Sequence, residues 1–431
     1  MSEILDSNPL LSKARRVAHA ARENGGRALL VGGYVRDELL GLAPKDADIE
    51  VYGLEAPVLR STLEKLGRVD CVGESFRVYK LVWHFEKTRY ELDVSLPRRD
   101  RKTGEGHKGF EVEGDPFASI EDAARRRDFT VNAILKDPLS LEILDPFGGR
   151  DDLQNGVLRA VDAAHFGEDS LRVLRAMQFA ARLNLEIEPE TVRICRATPL
   201  DDLPRERIWG EWEKWLLKSK TPSRGLVAGA QIGVFARLFP YLEIAVARKS
   251  GAIGHALDRG AREIEALEFP EKVALMLAIL GSFLGWRDTK RLLEALGIQK
   301  LKGEKQAIDV ATLAVKLVGA RKTPSDWFER RETVSDRDFR FFAARIKPDL
   351  AIRLARARGF EVAASWFEQN CARLGILDGP PAPLLLGRHL LELGMKPGPR
   401  MGEILERVYL AQLGGEIEDL DAAKTAAKSW F

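Results

Sequence analysis

The sequence is poor in the residues and runs that mark several common protein classes. Among 431 residues there are three cysteines, Cys71, Cys195 and Cys371. They lie too far apart for a disulfide framework or a paired-cysteine metal site, which makes a reducing, cytoplasmic setting the simple expectation. The six histidines are scattered. No run of 18 or more apolar residues occurs, so no membrane-spanning helix and no membrane partner are expected. The opening segment, MSEILDSNPLLSKARRVAHAARENGG, has mixed charge and reads as an amphipathic helix without the apolar core and cleavage site of a secretory signal. Charge of one sign is missing too. The 67 basic and 65 acidic residues leave a net charge of +2, which neither demands nor excludes a nucleic-acid partner, because local patches decide that question. No Walker loop and no ribonucleoprotein aromatic motif, KH loop or zinc knuckle is visible.

What remains is ordinary for a soluble protein: 45% apolar and 31% charged residues, in a chain long enough for two to four domains. Basic patches lie at 97–110, 124–129, 299–306 and 320–323, and a solvated surface explains any one of them equally well. Residues 27–33, RALLVGG, read as a strand ending in a glycine turn, followed by a short helix over 34–42 and a second strand, DADIEVYG, over 46–53. APVLRSTLEKLG reads as a helix. SFRVYKLVWHF and TRYELDVSL read as two further strands joined by a short turn. Residues 97–123 are polar and glycine-rich, without clear periodicity, and are expected to form a mobile loop. Beyond residue 150 helical periodicity takes over, with breakers at KTPSRG and GPPAP. The fold class is therefore α+β: a mixed sheet with helices over 1–150, a helical neck over 151–225, and a helical body and tail over 226–431.

The chemistry concentrates in the first part. Gly32 and Gly33 stand between a strand and a helix, where backbone N–H groups approach a phosphate closely, although a plain turn needs the same residues. Arg36, three residues into that helix, is within reach of a triphosphate. Asp46 and Asp48 are spaced to share one face of a strand. Like charges so close are costly unless a cation bridges them, and Mg²⁺ takes a few carboxylates together with phosphate oxygens and water. A pair of such ions activates a 3′-hydroxyl and stabilises a leaving pyrophosphate. Asp93, on a later strand, is either a third ligand or base, or a solvent-facing residue. Glu50, Glu91 and Asp93 are the alternatives for completing the metal site.

LLVGGYVRDELLG followed by KDADIEVYG resembles the catalytic signature of the nucleotidyltransferase superfamily, and in particular the class II tRNA nucleotidyltransferase and bacterial poly(A) polymerase family. RRDFTVNAI (126–134), DPFGGRDDL (145–153), EDSLRVLR (168–175) and ERIWGEWEK (206–214) resemble further motifs of that family in the same order. The similarity is strongest over residues 27–225, with a looser likeness near the C-terminus. The resemblance implies a nucleotidyltransferase head, CTP and ATP as substrates, and tRNA as partner. It also implies that the 97–123 loop is the lever that switches from C to A addition.

Within RRDFTVNA, Arg127 is expected at the triphosphate or sugar, with Asp128 and Asn132 positioning the ribose or the head–neck hinge. On a helix, Asp169, Arg172 and Arg175 form a polar stripe, which by itself is an amphipathic helix with one ion pair. In this family setting a sharper reading applies. Cytosine and adenine each present an amino donor beside a ring-nitrogen acceptor, matching the carboxylate of Asp169 and the guanidinium of Arg172. Uracil and guanine present the reverse and are rejected. Arg175 supports the nucleotide or orders the pair. Gln178 departs from the family pattern, which commonly has an arginine there. The helical extension is expected to bind RNA by charge and shape, with Trp209, Trp212 and Trp215 as packing residues. Some relatives carry a phosphohydrolase domain after the neck; its His-Asp dipeptide is absent, so no second, hydrolytic site is expected. The leading reading is CCA addition to tRNA. An A-adding-only enzyme, a poly(A) polymerase and a non-catalytic RNA-binding relative stay open. A small-molecule nucleotidyltransferase leaves the helical arm unexplained, and the sequence carries no signal for oligomeric state.

Overall fold

The computed structural model describes residues 9–44, 46–72, 78–85, 88–102, 110–298, 300–302, 307–319 and 323–430. It divides into two compact units. One comprises the residues up to Glu211 with Val227–Leu238, the other Trp212–Leu226 with the residues from Phe239 on.

The first unit is built on a seven-stranded mixed sheet. Its strands are β1 (Arg27–Val31), β2 (Asp48–Tyr52), β3 (Arg68–Val72), β4 (Val78–Phe85) and β5 (Thr88–Ser95), with the later β8 (Leu135–Lys136) and β9 (Ile143–Leu144). The order across the sheet is β3-β4-β5-β2-β1-β8-β9. The β1–β2 ladder is antiparallel and β2–β5 is parallel, placing Asp48 directly beside Asp93. Alternation of side chains sorts this sheet into two cores. Ala28, Leu30, Ile49, Val51 and Val94 face helices α1 (Pro9–Glu23) and α3 (Ala56–Glu64). Leu29, Val31 and Tyr52 face the opposite side, against α4 (Ile120–Arg125) and Ala133. Asp48 and Glu50 share the parity of Tyr52 and so project on that second side.

The two strands expected over 75–85 and 88–96 are present as β4 and β5 and pair antiparallel along their length; residues 75–77 lie outside the described residues. Three sequence expectations change. First, much of 97–123 is not an irregular loop: β6 (Arg98–Lys102) pairs antiparallel with β7 (Phe110–Gly114), and α4 begins at Ile120. Part of the expected lever, 103–109, lies outside the described residues. Second, β2 begins at Asp48, so Asp46 precedes the strand instead of sharing a face with Asp48 along it. Third, the chain beyond 150 is largely but not wholly helical. Val157–Leu158 pairs parallel with Glu186–Ile187, and Lys300–Lys302 pairs antiparallel with Ala307–Asp309.

The second unit is organised around helix Phe269–Leu284. Every residue from Val273 to Leu280 is fully buried, the behaviour of a helix that is apolar all round and enclosed by others. No described helix is long and apolar enough to cross a membrane. Trp212 and Trp215 are fully buried and pack edge-on at 5.0 Å, with Phe239 at 4.8 Å from Trp212. They serve packing, as expected.

Candidate active site

The site begins at the end of β1. Gly32 sits at φ +65°, ψ −128°, where a side chain is strained, and starts helix α2 (Gly33–Leu39). A Cβ there would also come within 3.0 Å of Arg127 Nη1. Gly33 is less constrained, since its Cβ would meet only Arg36 Nη2, at 3.6 Å. Gly32→Ala is therefore expected to cost about 1–3 kcal/mol. Thermal unfolding should show it as a clear drop in Tm, with Gly33→Ala much closer to wild type.

Gly32, Gly33, Arg36, Asp48, Arg127, Asp128, Asn132, Asp169, Arg172, Arg175, Phe179 and Arg182 line one cavity of ≈ 420 Å³. Ten of these were named from the sequence. Phe179 and Arg182 were not, although Arg182 follows Arg175 by seven residues and so returns to the same face of the helix. Five arginines against three aspartates in its lining give the cavity a net positive field suited to a polyanion.

A chain of hydrogen bonds fixes the arginines. Arg36 is buried; its Nε and Nη2 donate to Asp37 Oδ1 at 2.8 and 2.6 Å, and its Nη1 donates to Asn132 Oδ1 at 2.6 Å. Asn132 Nδ2 donates to Asp128 Oδ1 at 2.9 Å, and Arg175 Nε donates to Asp128 Oδ2 at 2.6 Å. Burial alone would raise the Asp128 pKa, but Arg175, Asn132 and the Phe129 N–H outweigh it and hold the carboxyl below its ordinary value. Asp128 thus acts on Arg175 and Asn132. Asp128→Ala removes the carboxylate that takes the half-buried Arg175 guanidinium, an expected loss of about 1.5–3 kcal/mol for a hydrogen bond between charged groups in denaturant unfolding at neutral pH. Because the carboxyl pKa is depressed by folding, its contribution is present above the unfolded value of about 3.9 and fades as pH falls below it. The gap between wild type and variant should narrow there.

The turn that carries Asn132 (Thr130–Asn132) is itself braced by DPFGGRDDL, which leads into helix α5 (Gly149–Gln154). Asp145 accepts from the N–H groups of Gly149 and Arg150, and Asp152 Oδ2 accepts from the Thr130 hydroxyl at 2.7 Å. Gly149 lies so close under Thr130 that any Cβ would run into its carbonyl oxygen.

On the carboxylate side, Asp48 opens to the cavity. Enclosure by the protein around it, then Asp93, with smaller effects of Asp46 and Glu50, push its pKa up, against the pull of Arg127. Asp46 is exposed and stands outside the cavity lining, as Asp93 does. Glu50 is committed: it accepts from Arg127 Nη2 at 2.6 Å and from the Tyr52 hydroxyl at 2.9 Å. Glu91 is engaged by Lys80 and Arg89. Asp93 is the freer group. Its Oδ1 is buried and makes no hydrogen bond, with Lys80 Nζ at 3.6 Å. Among the described residues no three His, Cys, Asp or Glu side chains enclose a point. An open carboxylate set, in which Asp93 Oδ1 is held only by the loose ion pair to Lys80, fits Mg²⁺, which keeps positions for phosphate oxygens and water.

Helix α6 (Leu171–Leu183) begins after Asp169, which adopts an extended backbone and accepts from the Leu171 N–H at 3.1 Å. The Asp169–Arg172 pair of the plain amphipathic-helix reading is not formed. Arg172 instead donates to the carbonyls of Arg126 and His165, at 2.9 and 3.3 Å. Asp169 has Arg207 Nη2 at 3.7 Å. Two of the five donors of Arg172 are thus used to aim it.

Residues 28–159 match the model of the poly A polymerase head domain family. The chain is 40% identical over 218 residues to the multifunctional CCA protein of Nitrosococcus oceani, covering 50% of each chain. It is 31% identical over 333 residues to that of Chromobacterium violaceum, covering 76% of this chain and 78% of that one. The match spans about half the length of the first of these curated relatives. Its fold matches a Bacillus stearothermophilus CCA-adding enzyme in complex with CTP at a TM-score of 0.72, with 24% identity and 98% and 97% of the two chains covered. A Thermotoga maritima CCA-adding enzyme complexed with tRNA matches at 0.65, with 21% identity and 100% and 97% covered.

Proposed function

We propose that this chain, which belongs to the family of the multifunctional CCA proteins, transfers CMP and AMP from CTP and ATP to the 3′ end of tRNA without a nucleic-acid template. The product is the CCA terminus, built or repaired, with release of pyrophosphate. The observation that carries the reading is the convergence in one cavity of the Gly32–Gly33 turn, the Asp48 carboxylate and the Asp169–Arg172 pair.

In this reading the triphosphate lies against the Gly32–Gly33 turn, and the positive wall that includes Arg36 and Arg127 balances its charge. Asp46 and Asp48, with Asp93 as the further carboxylate, would hold a pair of Mg²⁺ ions, which would supply the positive charge that lowers the cost of ionising the 3′-hydroxyl. The 3′-hydroxyl gives its proton to the Asp93 carboxylate as its oxygen attacks the α-phosphorus, and the bond from that phosphorus to the bridging oxygen breaks, the electron pair leaving with pyrophosphate. Asp169 accepts the amino group of cytosine or adenine while Arg172 donates to the ring nitrogen. Asp128 and Asn132 keep Arg175 and Arg36 in place. The enzyme works in the cytoplasm, with 1–150 as catalytic head, 151–225 as neck and 226–431 holding the tRNA by charge and shape.

The test uses tRNA transcripts lacking CCA, lacking CA, or lacking only A, with Mg²⁺ and labelled CTP or ATP, separately and together. Ordered addition that stops after one A supports the proposal. ATP incorporation only on the transcript ending in CC makes the chain an A-adding enzyme, long A tails make it a poly(A) polymerase, and no incorporation makes it a non-catalytic relative.

A further inference from the structure

We propose that Arg182 is the binding residue for the distal phosphates of the nucleotide, and that Gln178 is the residue that positions it. The inference rests on the nucleotide-transfer reading of this cavity. Three guanidinium groups surround one ring here: the Cζ atoms of Arg175, Arg36 and Arg182 lie 5.1, 5.3 and 5.9 Å from the centroid of Phe179. Phe179 itself is buried and lines the cavity. Two of the three are matched by carboxylates, Arg175 by Asp128 and Arg36 by Asp37. Arg182 makes no salt bridge among the described residues. Its Nη1 donates to the neutral Gln178 Oε1 at 3.2 Å.

Clustered like charges of this kind are unfavourable in a partly desolvated wall until an anion arrives. Burial first, then Arg36, push Arg182 below its ordinary pKa, with a smaller contribution from Arg175, and together they outweigh the opposing pull of Asp37 and Glu211. Position along α6 selects which part of a nucleotide that anion is. Arg182 lies ten residues after Arg172 on one helix, roughly 15 Å at 1.5 Å per residue. That is too far to share a base with the Asp169–Arg172 pair. Arg36, its neighbour across the Phe179 ring, instead follows the glycine turn.

Gln178 explains how the group is held. It is fully buried, and its Nε2 has no hydrogen-bond partner while its Oε1 takes Arg182. A glutamine at this position carries no charge of its own into the cavity. It tethers one supplied from a helical turn further on.

Calorimetric binding with the full chain in Mg²⁺ buffer tests this, using CTP, ATP, CMP and inorganic tripolyphosphate. For Arg182→Ala we expect affinity for CTP, ATP and tripolyphosphate to fall by about 10- to 100-fold, the loss of one charge-assisted hydrogen bond. CMP binding and the CTP-to-ATP ratio should be unchanged. Arg182→Lys should recover part of the loss, and Gln178→Leu should show a smaller loss in the same direction. In turnover, KM for both nucleotides should rise by one factor, with kcat moving less. Equal weakening of CMP and CTP would mean a purely structural role, and a changed CTP-to-ATP ratio a base-reading role; either overturns the proposal. So does unchanged CTP binding by Arg182→Ala in a protein whose wild type incorporates nucleotides. If wild type shows the expected binding pattern but incorporates neither nucleotide, the transfer reading fails and the phosphate seat stands.

Discussion

Asp48→Ala is expected to lower incorporation of both CMP and AMP by at least about a thousandfold, the effect of removing several kcal/mol of charge stabilisation at a metal-assisted transfer. Asp48 opens to the cavity at the start of β2, paired in register with Asp93, whose Oδ1 is buried without a hydrogen bond. Glu50 and Glu91 are held by Arg127 and Lys80 and cannot substitute for it. Asp46→Ala should act in the same direction. A separate readout guards against simple misfolding. Asp48 is crowded by its surroundings and by Asp93, so Asp48→Asn relieves repulsion and should keep or slightly raise Tm in metal-free buffer while abolishing transfer. tRNA binding, measured by filter retention, should stay near wild type. Substantial transfer by Asp48→Ala would remove Asp48 from the metal site.

Arg172→Ala is expected to erase base choice by a comparable factor. A site that recognises its ligand by buried, complementary donors and acceptors rejects the mismatched ligand by a factor of about 10⁴ or more. Removing the donor should cost most of that, with roughly a thousandfold rise in the share of UTP or GTP incorporated relative to CTP and ATP. The affinity for the triphosphate should change much less. The carbonyls of Arg126 and His165 aim the Arg172 side chain, so Arg172→Lys, with a single point charge and no planar fork, should recover little. Steady-state incorporation with each of the four nucleotides alone checks this. Retained selectivity in Arg172→Ala would place base reading elsewhere.

The parts of the fold that follow a local pattern were legible. RALLV, DIEVY and TRYELDVS alternate or run apolar, and they became the adjacent strands β1, β2 and β5. The hairpin of β6 and β7 was not legible, because RRDRK has no apolar alternation to report a strand. Asp46 illustrates a boundary effect: spacing by two implies a shared face only inside a strand, and β2 starts two residues later. At the site, glycine turn, carboxylates and arginines were found as short motifs. Their connections were not. The chain of bonds from Asp37 through Arg36, Asn132 and Asp128 to Arg175 joins residues up to 96 positions apart at a single step. No local periodicity reports such pairing. Gln178 stood out as a departure, but only burial and its bond to Arg182 gave it a physical role.

The central claim is that protein side chains alone choose C and then A. It is tested most directly by giving wild-type protein a tRNA transcript that lacks CCA, Mg²⁺ and all four nucleoside triphosphates at equal concentration, and sequencing the product ends. The account predicts C, C and A in that order, then a stop, with U and G rare. Products of mixed sequence, or tails that continue past the single A, would contradict it.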